Sequence, residues 1–372
     1  MTFQWDRHVP AERRTEKNFL PAEVRLSHQY ALYLHDRVVR ILKHAHASQL
    51  VRVAFRPRSA EHASQTAHLG GVDLWTWLES NGYQDVVREM AFKEMFPALA
   101  TDFCHFVFEA LSCSRRNKLT VAYALLRKPF QDNLRQLEWL LADSDEFVTT
   151  FLERPASARE SNARQSEAYS VPLIRRALAK TAAPALHDPQ MIHDLRYDKD
   201  KHFSFDHLSQ KAIHLVTTKP ALLTEPQNVN FIFSNETSWA SQWRHLYSTL
   251  PILLRYAVDI CEPLAAIAFG EIAPGLAEFR ARSTLGFFAW AYDLERARQL
   301  SGEMRSAAST LGAIKVNCPH CDRPARDSRI ALRSLFFNGH LYCPRCRKQA
   351  DSESYAATLH VPDPTEPPTL VN

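Results

Sequence analysis

Cys318-Pro319-His320-Cys321 and, 21 residues further on, Cys343-Pro344-Arg345-Cys346 decide how the C-terminal part of this chain is read. Two thiolates three positions apart grip one metal ion from a single tight turn. A second such turn completes a tetrahedron with metal–sulfur bonds of about 2.3 Å. Four soft ligands and no open position describe a structural site, not a catalytic one. One structural Zn2+ on Cys318, Cys321, Cys343 and Cys346 is expected. Iron in the same cage and two disulfides are the competing readings. A segment of about 40 residues buries too little surface to fold unaided, so metal binding worth about 10–16 kcal/mol becomes its folding energy. Within the spacer, residues 334–337, then Asn338-Gly339, then 340–343 read as a β-hairpin, because Asn-Gly supplies the positive φ values of a two-residue type I′ turn.

The two C-P-x-C pairs resemble the knuckles of the zinc-ribbon family, which often read C-P-x-C-G. The resemblance covers residues 314–350 only and implies a small β module closed by zinc. Asp322 and Arg347 stand where the family has glycine. The module is also basic. Lys315, Arg323, Arg326, Arg329, Arg333, Arg345, Arg347 and Lys348 face only Asp322 and Asp327, an excess of six positive charges in a chain of net charge +4. Seven of these, Arg323, Arg326, Arg329, Arg333, Arg345, Arg347 and Lys348, are the candidate nucleic-acid contacts. Cations beside Phe336, Phe337 and Tyr342 suit phosphates and stacked bases. Alternatively those aromatic rings form the module's own small core and the arginines are solvated.

Outward from this module, the chain of 372 residues is 45% apolar and holds only 9 glycines, a balance that favours helices over an all-β fold. Val24, Ala31, Leu34, Val38 and Leu42 mark an apolar helical face over 21–47. Helical patterns continue over 72–81, 83–96, 97–117 and 119–142, and Pro129 should kink or split the last of these. Asp143 and Ser144 suit the cap of a helix ending near Arg154, and helices follow at 171–180, 206–216, 239–268 and 275–311. Short strands are expected at 50–55 and 229–233. The expected organisation is mainly α: a flexible arm at 1–20, a helical body at 21–312 with an exposed loop at 155–170, a zinc ribbon at 313–350, and a disordered acidic, Pro-rich tail at 351–372.

The best apolar stretch, 251–270, contains Arg255, Asp259 and Glu262, too many charges for a membrane span. With no apolar leader at the start and an odd count of seven cysteines, a cytoplasmic protein is expected. Cys104, Cys113 and Cys261 read as small buried apolar residues.

The helical body offers fewer chemical signals. Arg196 and His202 fit the Arg-x4–6-His spacing of HEPN-type ribonucleases, and the resemblance implies that they would be the catalytic pair. Four other Arg–His pairs fit as well, and composition alone produces nearly as many, so the spacing carries little information. His187-Asp188, His193-Asp194, Asp198, Asp200, His202, Asp206 and His207 form a cluster that suits either metal-dependent phosphoester chemistry or a solvated loop with capping aspartates. Arg127, Lys128, Asp132, Asn133 and Arg135 surround the Pro129 kink, where freed carbonyls often mark a site. The run 287–292 reads as core packing. No glycine-rich phosphate loop or G-x-S-x-G elbow is present. Three functions follow as expectations. The leading one is a non-enzymatic zinc-binding protein that contacts nucleic acid or a protein partner through the ribbon. Its rivals are a HEPN-like nuclease and a scaffold whose ribbon braces the body.

Overall fold

Leu26, Tyr30, Leu34, Val38, Ile41 and Ala45 recur every three or four residues, and all six are buried on one face of helix α1 (Arg25–Ala47). They belong to a computed structural model that describes residues 18–159, 166–270, 274–296, 316–325 and 327–359. After α1 come α2 (Ala60–Thr66), α3 (Gly71–Ser80), the 32-residue α4 (Gln84–Arg115), α5 (Leu119–Lys128), α6 (Leu134–Ala142) and α7 (Ser144–Glu153). The body continues through α8 (Glu167–Leu178), α9 (Pro189–Tyr197), α10 (Phe205–Ile213), the 34-residue α11 (Glu236–Phe269) and α12 (Leu276–Arg296). The C-terminal lobe holds α13 (Ser328–Asn338), strands β1 (His340–Tyr342) and β2 (Gln349–Asp351), and α14 (Ser352–Ala357). The protein is mainly α, with one two-stranded sheet among the described residues. Ser59, Asp143, Asp188, Ser204, Asn235, Asp327 and Asp351 each accept a backbone N–H from the first turn of a helix, so the starts are set by short polar side chains.

The long helix α11 runs through the centre and packs on α1, α4 and α6. Its buried Pro251 has no N–H, which leaves the carbonyl of Tyr247 one turn earlier without its helical donor. The Trp290 indole fills that vacancy from α12, with Nε1 2.9 Å from the Tyr247 oxygen. Pro129 acts differently. Helix α5 stops at Lys128, and residues Pro129–Asn133 form one wide π turn before α6 resumes. No helix among the described residues is long and apolar enough to cross a membrane.

Several expectations are corrected. Residues 50–55 and 229–233 form no strand, because neither run meets a partner strand; Phe231 sits at φ 63° in a turn, its ring against Tyr123. The segments 83–96 and 97–117 are one helix through Pro97. The spacer hairpin is absent. Ala331, Leu332, Leu335 and Phe336 have helical spacing and a body to bury against, so 334–337 belong to α13. Gly339, at φ 76°, terminates that helix by donating to Leu335 O and is not a hairpin turn residue. The hairpin instead joins β1 to β2 around the second cysteine pair, with Leu341 opposite Ala350. The tail reading also fails at its start, since 351–359 carry the end of β2 and all of α14; residues 360–372, like 1–17, lie outside the described residues.

Candidate metal centre

Each cysteine pair sits on a turn with the same hydrogen-bond pattern. In the first, Cys318 N–H donates to Arg323 O at 3.0 Å and Asp322 N–H to Cys318 O at 2.8 Å. In the second, Cys343 N–H donates to Lys348 O at 2.9 Å and Arg347 N–H to Cys343 O at 2.9 Å. Asp322 and Arg347, which stand where the ribbon family carries glycine, adopt φ 52° and 57°. The left-handed turn therefore forms without glycine, at a steric cost. Antiparallel pairing stiffens each turn from behind, by the Asn317–Pro324 bridge in one case and β1–β2 in the other.

The result is a cage of four sulfurs whose atoms all lie within 4.8 Å of one another. Cys318 and Cys346 sulfurs are 3.7 Å apart, and those of Cys321 and Cys343 are 3.9 Å apart. A tetrahedron of about 2.3 Å metal–sulfur bonds has edges of about 3.8 Å, so the residues fit a metal ion. All four cysteines are free, so the disulfide reading has no support. The backbone N–H groups of Cys346 and Arg345 turn toward the Cys343 sulfur and hold its thiol below the usual range, while the crowd of neighbouring sulfurs pushes Cys346 up, so the cage favours one thiolate first. Tyr355, buried on α14, lies close enough to Cys318 for the two side chains to interact. Sequence reasoning missed Tyr355 because it lies in the stretch read as tail. Asp351, which caps α14, was the available signal.

The cage is anchored to the body through α13. Phe336 is fully buried, with its ring edge-on to Tyr30 at 5.7 Å and to Tyr33 at 5.3 Å. It lies over Gly286 of α12 so closely that a Cβ there would come within 2.7 Å of the ring. Arg282 donates to Phe336 O at 2.8 Å, a cation at the negative end of α13. Asp293 of α12 accepts from Arg329 at 2.7 Å and from Arg333 at 3.4 Å. Two of the seven predicted nucleic-acid contacts thus face the body, where Asp293 offsets their charge. Arg323, Arg345, Arg347 and Lys348 are exposed around the cage with no carboxylate partner among the described residues, and Arg326 lies outside the described residues. Arg323 and Arg345 line a shallow depression of about 490 Å3 beside Cys321 and Cys346.

The body candidates are dispersed. Arg196 is 1% exposed, and all three of its nitrogens are occupied: Nε donates to Phe130 O at 2.8 Å, Nη1 to Glu138, and Nη2 to Tyr197 Oη at 2.7 Å. Phe130 lies in the π turn, so Arg196 answers a carbonyl in the stretch that Pro129 disrupts. Tyr256 Oη donates to the same Glu138 at 2.6 Å. His202 is exposed and its ring meets His207 at 5.0 Å. The expected catalytic pair therefore combines a sealed structural arginine with a surface histidine. The His–Asp cluster also separates. His187 pairs with Asp259 at 2.8 Å, His193 with Ser170, Asp194 with Lys201, and Asp206 with Gln131 at 2.6 Å, while Asp188 caps α9. Among the described residues only the four cysteines bring three or more metal-ligating groups together. At the kink, Lys128 and Asn133 both bond Asp102, at 2.6 and 2.7 Å.

Comparisons of the chain with family models, curated proteins and solved structures returned no match.

Proposed function

We propose that the protein binds one structural zinc ion through Cys318, Cys321, Cys343 and Cys346 and contacts nucleic acid with the basic face around that ion. The observation that carries the reading is the division of the arginines. Arg329 and Arg333 are offset by Asp293, whereas Arg323, Arg345, Arg347 and Lys348 are exposed on the two cysteine turns, with no carboxylate partner among the described residues. Arg323 comes from the first turn and Arg345 from the second, so the metal fixes their spacing. Tyr342, 53% exposed beside them, offers a ring for stacking. Polyanion binding of this kind has a steep salt dependence, with a slope of about −0.9 per phosphate contact on a duplex and about −0.7 on a single strand.

The test is a fluorescence anisotropy titration of labelled single-stranded and duplex oligonucleotides over a range of salt. The quadruple variant Arg323→Gln, Arg345→Gln, Arg347→Gln, Lys348→Gln should bind more weakly, with a shallower salt slope. Equal affinity and equal slope would leave the bracing role. That second reading has its own support, the burial of Phe336 against Tyr30, Tyr33 and Gly286.

A further inference from the structure

A second basic surface lies on the helical body. Between Asp36 and Glu61 the chain has no acidic residue, yet it carries Arg37, Arg40, Lys43, Arg52, Arg56 and Arg58. Arg37 is turned inward and bonds Glu262 at 3.2 Å. Arg40, Lys43, Arg52 and Arg56 are exposed, and none has a carboxylate partner among the described residues. Arg40 and Lys43 share the outer face of α1, three residues apart, opposite the buried Leu34, Val38, Ile41 and Ala45.

After α1 the chain turns, and residues 52–57, in neither helix nor sheet, alternate exposed arginine and alanine with half-buried valine and phenylalanine. Pro57 favours the extended form at Arg56. The N–H groups of Val53, Ala54, Phe55 and Arg56 meet no backbone acceptor among the described residues. A row of cations is thus displayed on an irregular segment outside any helix or sheet. Lys93 of α4 reaches Arg52 O at 3.5 Å and is itself paired with Glu89.

The row ends at a cluster of rings set apart from the main core. Phe55, His62 and Trp77 gather around Tyr83, and the Arg58 guanidinium lies 4.3 Å above the Tyr83 ring. Trp77 and Trp75 are half-buried, with indole N–H groups bonded to Gln65 and Glu79. Flat rings at the end of a cationic track suit unpaired bases and a phosphate backbone. An acidic peptide would use the cations but not the rings.

We infer that the segment from Arg40 to Arg58, with Trp77 at its end, is a binding surface for single-stranded nucleic acid. It shares no residue with the cysteine turns and stands whether or not those turns touch nucleic acid. The test uses the full-length protein and a fluorescein-labelled oligo(dT). The variant Arg40→Gln, Lys43→Gln, Arg52→Gln, Arg56→Gln should lose about tenfold or more in affinity, and its salt slope should shrink by about 0.7 for each phosphate contact removed. All four side chains are exposed, so its thermal midpoint should match that of the parent. Trp77→Leu should weaken binding with the slope unchanged, because it removes stacking and no charge. Unchanged affinity and slope in the quadruple variant would overturn the inference, as would a loss confined to heparin or an acidic peptide. Loss here with no loss in the Arg323, Arg345, Arg347 and Lys348 variant would keep this surface and remove the ribbon reading.

Discussion

Arg347 holds φ 57° on the second cysteine turn, a conformation that costs an ordinary side chain about 1–2 kcal/mol. Its backbone N–H still bonds Cys343 O, so the strain is retained for the turn. Arg347→Gly should therefore tighten zinc binding, by about 1 kcal/mol in competition with a chromophoric chelator, while removing one exposed cation. Asp322 is a less clean test, because Asn317 donates to its carboxylate at 3.2 Å. Gly286 is constrained differently: its role is space, not backbone freedom. Gly286→Ala should destabilise the fold by about 1–3 kcal/mol, since Phe336 and Tyr30 both stand within 3 Å of the added methyl. A denaturant melt equal to the parent's would mean that α13 docks elsewhere. At His28 burial, helped by Arg115, lowers the pKa to about 3, and Nδ1 lies 2.6 Å from Tyr247 Oη. Unfolding restores the usual 6.5, so the unfolded chain binds the extra proton between those values. Stability from this group is complete above pH 6.5 and falls as the pH drops toward 3, by at most about 1.4 kcal/mol per pH unit. Thermal melts from pH 7 to pH 4 should slope less in a folded His28→Gln variant.

At the scale of elements, α13 links the four-cysteine cage to the body. One of its faces buries Leu332, Leu335 and Phe336, and its chain connections on both sides lead to cysteine turns. Phe336→Ala should cost about 3–5 kcal/mol, as expected for a ring in a filled core. It should also raise amide exchange in both α13 and α14. Exchange confined to α13 would mean that α14 is held without it, by contacts such as Tyr355 at Cys318 alone. These links explain what was and was not readable beforehand. The clustering of the four cysteines was legible because the C-x-x-C spacing is local. The break at Pro129 was legible because a missing N–H is local too. Asn338-Gly339 was not, because the same dipeptide serves a type I′ turn and a left-handed helix end, and only the body buried under Phe336 decides between them. Residues 229–233 have the composition of a strand, but Asn230 N–H makes a single bond to Leu215 O and Ile232 N–H closes a turn on Val229 O, so no ladder forms among the described residues.

For the whole molecule, net charge was a poor guide. Averaging made everything outside residues 314–349 slightly acidic, while the local distribution put a 24-residue stretch without acids on the body and folded Arg329 and Arg333 onto Asp293. The buried ion pair of Arg196 and Glu138 was likewise invisible, because an arginine that fills a carbonyl in a kink has no sequence signature of its own. Metal removal acts at this scale. Stripping the ion should free the two cysteine turns, loosen α13 from Tyr30 and Tyr33, and lower the first thermal transition while the rest of the helical body keeps its far-ultraviolet signal. The claim beneath all of this is that one ion on four sulfurs shapes the C-terminal lobe. Metal content of the purified full-length protein, measured by inductively coupled plasma mass spectrometry beside the variant Cys343→Ser, Cys346→Ser, tests it most directly. The account predicts one zinc per chain in the parent and none in the variant; a parent with no stoichiometric metal, or a variant that keeps it, would contradict it.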